Sequence, residues 1–261
     1  MNAVEMEYED AVARIWMNRP QVHNAFDEAL IEELTQAFVE LGTRTDVRVI
    51  VLSGRGKSFS AGADVEWMKR QGAATEEANV ADARRLAALF HTIAASPKPT
   101  IARVQGATMG GGIGLVAACD IAIGSSAAVF AISEVRLGLI PATIAPYVLR
   151  AIGERQARRF FQTGERMDAA TAEKVGLLHQ VASPEALDEH VGAAVHHLLA
   201  GAPLAQRSAK ELIDAVANEP ITPELIEDTA RRIAHRRAQP EASEGLSAFL
   251  EKRQAAWVPS R

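Results

Sequence analysis

Cysteine is nearly absent from this chain. Cys119 is the single one in 261 residues, so no internal disulfide can form and a reducing compartment is expected. It sits in an apolar run, where it reads as a small buried hydrophobe. Long apolar runs are missing too, since none approaches the ~20 residues that span a bilayer. A basic leader is also missing: the first residues include Glu5, Glu7, Glu9 and Asp10. A signal or transit peptide would be basic there, so a cytoplasmic location is expected. Positive charge is in slight deficit, with 28 Lys and Arg against 33 Asp and Glu, a net charge of −5. No basic stripe stands out, and nucleic acid is not an expected partner. None of the seven histidines has a zinc-like spacing, and adjacent His196 and His197 would point apart on a helix, so no metal is expected. Ser53-Gly54-Arg55-Gly56-Lys57-Ser58 mimics the end of a phosphate loop. That motif would need glycine at 51, where Val51 stands, and a tight turn is the simpler reading.

What is present reads as strands alternating with helices. Val12 to Met17 alternates like a strand and ends at Asn18-Arg19-Pro20. Asp27 can cap a helix striped by Leu30, Leu34, Phe38 and Leu41, with Gly42 as its stop. The β-branched run 47–52 predicts a strand, 76–95 a helix stopped by Pro97-Lys98-Pro99, and 100–104 a buried strand. Further strands are expected at 120–124 and 129–132. After Ser183 the strand signal disappears, and helices are expected at 184–200, 203–218, 223–238 and 240–253. No Gly/Ser-rich linker separates them from the body, so they should pack onto it. With nearly half its residues hydrophobic, the chain can bury a sizeable core.

The stretch from Gln105 to Pro141, QGATMGGGIGLVAACDIAIGSSAAVFAISEVRLGLIP, organises the rest. Gly110, Gly111 and Gly112 let backbone approach a ligand closely. If Ile113 to Ala118 is helical, the free N–H groups of its first turn face that ligand and favour negative charge. Gly112 to Ala117 also matches the dinucleotide fingerprint GxGxxA. Here, however, the strand candidate ends near Gln105, and the next strand runs into Gly124, Ser125 and Ser126 without an acid. Small residues packing a helix on a strand would give the same pattern. Glu134 stands among Phe130, Ile132, Val135, Leu137, Leu139 and Ile140. A backbone donor site followed by an acid in apolar surroundings suits a carbonyl that becomes an oxyanion. A surface glutamate, or one paired with Arg136, is the bland alternative.

These segments, with Ser60 to Asp64 (SAGAD) and Glu134 to Pro141 (EVRLGLIP), resemble the crotonase, or enoyl-CoA hydratase/isomerase, superfamily. The resemblance runs from Asn18-Arg19-Pro20 to the Phe249–Arg253 tail. EVRLGLIPATIAPYVLRAIGER looks most like bacterial 3-methylglutaconyl-CoA hydratases of leucine breakdown and relatives acting on terpenoid glutaconyl-CoA thioesters. The resemblance implies an α/β fold: a spiral of repeated strand–strand–helix units over residues 1–195, then a C-terminal helical region over 196–261 that builds a trimer or dimer of trimers. It implies an acyl-CoA substrate, with no cofactor beyond the coenzyme A that the substrate carries. Carried over residue by residue, the N–H groups of Ala63 and Gly111 become the oxyanion donors and Glu134 the general acid/base. An apolar site would raise its pKa into a useful range.

One position departs from the family pattern. Two-glutamate hydratases carry their first glutamate where this chain has Gly114. One carboxyl can still deprotonate water and return a proton to the α-carbon, so hydration remains the expected reaction. A Δ3,Δ2-enoyl-CoA isomerase needs only one glutamate and is the alternative, and a non-catalytic acyl-CoA- or RNA-binding relative is the rival of another class. Gly114 is expected to leave space beside Glu134 for acyl group or water, unless it merely packs closely. Coenzyme A is expected along Asn24-Ala25-Phe26 and Ser60, Ala61 and Asp64, held largely by backbone. Trp67 and Met68 resemble acyl-pocket residues, though core packing explains them as well. Lys69, Arg70, Arg84 and Arg85 are candidates to meet a second substrate carboxylate, or are solvated surface charges. Lys252 and Arg253, with Phe249, would reach a coenzyme A adenine or phosphate.

Overall fold

A computed structural model describes residues 2–259. The chain opens with a hairpin of β1 (Val4–Glu9) and β2 (Val12–Met17), followed by α1 (Glu28–Thr43) and β3 (Val49–Gly54). Two helices come next, α2 (Val65–Ala73) and α3 (Glu76–Ala94). Then β4 (Thr100–Val104), β5 (Ala107–Met109) and α4 (Gly111–Ala118) form one strand–strand–helix unit. The next unit is β6 (Ile121–Ser125), β7 (Val129–Ala131), a 3-10 turn at Glu134–Leu137 and α5 (Ala145–Thr163). β8 (Arg166–Asp168), α6 (Ala169–Lys174) and β9 (Gln180–Ala182) complete the body. Helices α7 (Leu187–Ala200), α8 (Pro203–Val216), α9 (Pro223–Arg237) and α10 (Pro240–Leu250) follow.

Successive units send their first strand to one sheet and their second to another. The larger sheet has the order β1-β2-β3-β4-β6-β9, the smaller β5-β7-β8. All neighbours in the larger sheet run parallel except β1 against β2. This gives the spiral of the expected fold. The central strands β3 and β4 of the larger sheet are buried on both faces, as parallel strands are. Ile50 and Leu52 of β3 face the main core, while Val49 and Val51 face a second cluster with Ile101, Ile123, Leu187 and Val191. The last two belong to α7, which covers that second face. The expected boundary at 195/196 thus falls inside a helix whose inner side is part of the sheet's own packing.

Four features differ from the expectations. Strand β1 escaped notice although Val4, Met6 and Tyr8 alternate with Glu5, Glu7 and Glu9; five of its six residues are exposed. It is an edge strand protected by charge, with Glu5 and Glu7 bridged to Arg55. Gly42 is no stop: α1 runs on to Thr43, and a Cβ at Gly42 would meet Pro97 Cδ at 3.3 Å. The strand β5 was unforeseen; it leads directly into the glycine triplet, so a strand–turn–helix context does exist there. β6 still ends at Ser125 without an acid. Finally, everything from α5 to β9 went unassigned; in α5 the phase breaks at Gly153, which has φ 72° inside the helix. Of the last helices, α8 and α9 bury no residue and α10 only Ala248.

Candidate active site

Two backbone segments run side by side at the centre of the site. The Ser60 N–H donates to Ala107 O at 3.2 Å, and Met109 N–H donates back to Ser60 O at 2.9 Å. Ser60 and Thr108 form a parallel bridge. The two residues expected as donors follow these paired positions: Ala63 at an isolated bridge with Phe26, and Gly111 as the first residue of α4. Gly112 fixes the spacing, because a Cβ there would lie 2.7 Å from Ser60 O. Only glycine permits that approach.

Both N–H groups are unclaimed. Gly111 opens α4, so its N–H has no intrahelical acceptor. Neither it nor the Ala63 N–H donates to any acceptor among the described residues, although the neighbours do: Gly110 N–H donates to Ala131 O and Asp64 N–H to Phe26 O, each at 2.9 Å. A free backbone N–H at the start of a buried helix, as at Gly111, favours negative charge. Phe26 walls one side; its ring would lie 3.1 Å from a Cβ at Gly111.

Glu134 reaches the same place from the following unit. It begins the 3-10 turn after β7, and its backbone carbonyl accepts from Leu139 N–H at 3.0 Å. Its carboxyl lies against Gly110, where a Cβ would sit 3.1 Å from Oε1. Gly110 has φ 48°, so glycine is favoured there on conformation as well as space. The Glu134 carboxyl thus lies against the residue next to Gly111. Glu134 Oε2 is buried with no hydrogen-bond partner. Burial raises the carboxyl above its ordinary pKa, and its own backbone N–H offsets this only in part. No ion pair joins it to Arg136, which lies against Gly164 instead. The apolar surroundings are narrower than expected. Phe130 and Ile132 are fully buried, whereas Leu137, Leu139 and Ile140 are 61%, 55% and 77% exposed.

Gly114 does not leave open space. A Cβ there would meet Ile144 Cγ2 at 2.3 Å and the Phe90 ring at 2.8 Å. The place where two-glutamate relatives carry an acid is filled by a methyl group and an aromatic edge. The idea of an acyl group or water beside Gly114 is therefore corrected to close packing between α4, α3 and the start of α5.

The remaining candidates build the turns. Asn24 is fully buried at φ 55°. Its amide donates to Arg55 O and Ser58 O, both at 2.9 Å, and accepts from Arg19 N–H at 2.9 Å. Ser60 Oγ donates to Asn24 O at 2.8 Å, and Ala61 N–H to His23 O at 2.9 Å. The backbone N–H groups of Asn24, Ala25, Ser60 and Ala61 are likewise engaged, donating to Arg19 O, Val22 O, Ala107 O and His23 O, so these residues hold the turn in shape. Asp64 caps α2, accepting from Glu66 N–H at 2.9 Å and Trp67 N–H at 3.3 Å, and pairs with Arg19 at 3.2 Å. Burial pushes its carboxyl up, but these N–H groups and the guanidinium hold it below the ordinary aspartate value. Trp67 is the one buried residue of α2, with Met68 half-buried beside it. Lys69 pairs with Glu66, Arg70 with Glu28 and Arg85 with Asp82. Lys252 sits in the exposed turn after α10, Phe249 is 80% exposed, and Arg253 bridges Glu244 and Glu251. Arg19 went unrecognised as a clamp between Asp27 at 2.8 Å and Asp64. Phe90 and Ile144 went unrecognised because nothing local links them to Gly114. Among the described residues no group of three or more His, Cys, Asp and Glu is placed to hold a metal, and no helix is long and apolar enough to cross a membrane.

Residues 7–259 match the pattern of the enoyl-CoA hydratase/isomerase family. A crystal structure of an enoyl-CoA hydratase from Shewanella pealeana superposes with a TM-score of 0.95 at 40% identity, covering 98% of this chain and 96% of that one. Pseudomonas aeruginosa AtuE superposes at 0.94 and 35% identity, over 98% of this chain and all of its own. The enoyl-CoA hydratase ACTT6 of Alternaria alternata is 34% identical over 218 residues, 83% of this chain and 71% of its own length. The chain belongs to the enoyl-CoA hydratase/isomerase family, the crotonase superfamily.

Proposed function

We propose that the chain is an enoyl-CoA hydratase working with one carboxyl group, on a substrate of the methylglutaconyl type. The observation that carries the reading is the unpartnered, desolvated Glu134 carboxyl against Gly110, beside the free N–H of Gly111. The thioester oxygen would lie between the Ala63 and Gly111 N–H groups. Glu134 takes a proton from water as its oxygen bonds to C3, and the C2–C3 π electrons move toward the thioester oxygen. The two donors meet that growing charge, which lowers the barrier more than it tightens ground-state binding. The enolate then collapses, and Glu134 returns its proton to C2. Water is added across the double bond and the carboxyl ends as it began. The cycle draws on no cofactor beyond the coenzyme A of the substrate.

The filled position at Gly114 favours a second reading, Δ3,Δ2-enoyl-CoA isomerisation. There Glu134 would lift a proton from C2 and deliver it to C4, and no second acid is needed. A terminal carboxylate on the substrate calls for a cation. Three of the four candidates are held by neighbouring carboxylates, which leaves Arg84 as the one to test. The exposed apolar residues of the tail, among them Ile213, Ile226 and Ile233 at 63%, 57% and 51%, support a trimer-based assembly. Light scattering that finds a monomer at micromolar concentration would remove that part. A cytoplasmic location fits the same reading. The deciding experiment follows thioester absorbance on crotonyl-CoA, 3-methylglutaconyl-CoA and a Δ3-enoyl-CoA. Hydration fastest on the methylglutaconyl compound supports the proposal; turnover of the Δ3 compound alone supports isomerisation; binding without turnover supports a non-catalytic relative.

A further inference from the structure

The direction of the Ala63 N–H is set by a neighbouring hydrogen bond. In a trans peptide the carbonyl and the following N–H point opposite ways, and Gly62 O accepts from the Phe26 N–H at 2.7 Å. The Ala63 N–H therefore points away from Phe26. The Asp64 N–H donates to Phe26 O at 2.9 Å, which completes the bridge between Phe26 and Ala63. Nothing within the turn itself holds that direction. Gly62 has φ 88°, and a glycine accepts a rotated peptide plane far more readily than other residues do. The plane that carries the Ala63 N–H has to be kept in place from outside.

Arg19 reaches both sides of that bridge. Its Nη1 donates to Ala25 O, one residue before Phe26, and its Nη2 lies 3.2 Å from Asp64 Oδ2, one residue after Ala63. The same Nη2 stands 2.8 Å from Asp27 Oδ2. The side chains of Arg19, Asp27 and Asp64 are only 17%, 21% and 14% exposed, so salt and solvent screen these pairs less than surface ones. Each carboxylate uses its other oxygen to cap a helix: Asp27 Oδ1 accepts from Leu30 N–H and Asp64 Oδ1 from Glu66 N–H, both at 2.9 Å. One guanidinium thus ties the first turns of α1 and α2 to the carbonyl that leads into Phe26. A lysine carries the charge but lacks the planar fork that meets these acceptors together. We infer that Arg19 is a positioning residue for the oxyanion donor. It holds the Phe26–Ala63 bridge in register through Ala25 O and Asp64, and so keeps the Ala63 N–H aimed. The inference rests on the acyl-CoA reading of the site and adds to it the residue that orients one of its donors.

The test reads the pull on the thioester carbonyl. A dienoyl-CoA absorbs at longer wavelength when donors draw charge onto its carbonyl oxygen, so the spectrum of the bound thioester reports the aim of the donors separately from affinity. Spectra and calorimetry use the Glu134→Gln background, which stops turnover; kcat is measured with Glu134 in place, on the enoyl-CoA turned over fastest. With Arg19 present the bound thioester should absorb to the red of the free one. Arg19→Lys should shrink that shift while affinity stays within a few-fold. It should also lower kcat roughly tenfold to a hundredfold with KM little changed, less than the ~10²–10³ lost when such a donor is removed outright. A merely structural Arg19 would lower the melting temperature or the number of binding sites and leave the shift of each bound ligand unchanged. That result, or an undiminished kcat, overturns the inference and leaves the acyl-CoA reading standing. Should Arg19→Lys not fold, Asp64→Asn decides. An amide has one oxygen, which serves either the helix N–H groups or Arg19 but not both, so the cap can persist with the clamp broken. The red shift should shrink as with Arg19→Lys, and a full shift overturns the inference. Binding with no red shift while Arg19 is present overturns the inference and the oxyanion site together, and no binding of the dienoyl-CoA overturns the acyl-CoA reading itself.

Discussion

The Ser58–Asp64 turn and the Met109–Glu134 segment each supply one free backbone N–H and one carboxyl group. The two carboxyls have opposite fates. Asp64 is surrounded by donors: two N–H groups of α2 and the Arg19 guanidinium. They hold it ionised and below its ordinary pKa. Glu134 has an oxygen with no donor at all, and burial raises it. Burial acts upward on both. The number of donors aimed at each carboxylate decides the net direction.

The largest effect should come from Glu134→Gln. Proton transfer by a placed side chain contributes roughly 10²–10⁴ in rate, so kcat should fall by that range while acyl-CoA binding by calorimetry stays within a few-fold. Near wild-type kcat would end the contrast, since neither acid would then be catalytic. Gly114→Glu asks whether a second acid can be restored. With Ile144 and Phe90 already too close for a Cβ, overpacking should cost about 1–3 kcal/mol or more. The melting temperature should drop, with kcat/KM falling alike for crotonyl-CoA and 3-methylglutaconyl-CoA. A shifted ratio at unchanged melting temperature would restore the idea of open space.

Asp64→Ala should act on stability before chemistry. Losing a cap costs about 0.5–2 kcal/mol, and each kcal/mol lowers the melting temperature of a chain this size by roughly 2–4 °C. The sign with pH follows from the lowered pKa of Asp64. Its contribution is present above the unfolded aspartate value, ~3.9, and is lost as pH falls through the lower folded value, so the deficit should shrink in acid. Glu134→Gln should show the smallest effect, with the opposite sign. A carboxyl raised by folding opposes stability once it ionises, so the variant should melt slightly higher at neutral pH. That gain should vanish as the pH drops below the unfolded glutamate value, ~4.3, where both forms of the position are neutral. A variant that melts lower at neutral pH would mean that Glu134 has a stabilising partner after all.

Much of this was legible in the residues because it is local. The Asp27 cap of α1, the β-branched run of β3 and the strand-free tail after Ser183 each depend on neighbours within a few positions. Ala63 and Gly111 were singled out as backbone positions in short motifs, and the N–H of each has no acceptor among the described residues. Strand β1 does alternate, Val4, Met6 and Tyr8 against three glutamates, but its acids were read only as charge; α5 was missed because Gly153 breaks its phase.

What the sequence by itself determined was the family and the alternation of strands and helices. Tertiary structure alone decided how individual residues are used. Whether Gly114 is a space or a contact depends on Ile144 and Phe90, thirty residues onward and twenty-four back along the chain. Whether an acid is Asp64 or Glu134 in character depends on which N–H groups point at it. Packing and hydrogen bonding act over a few ångströms of space irrespective of sequence distance, and pKa follows them. A residue's type is written in the chain, but its solvent and its partners are written only in the fold.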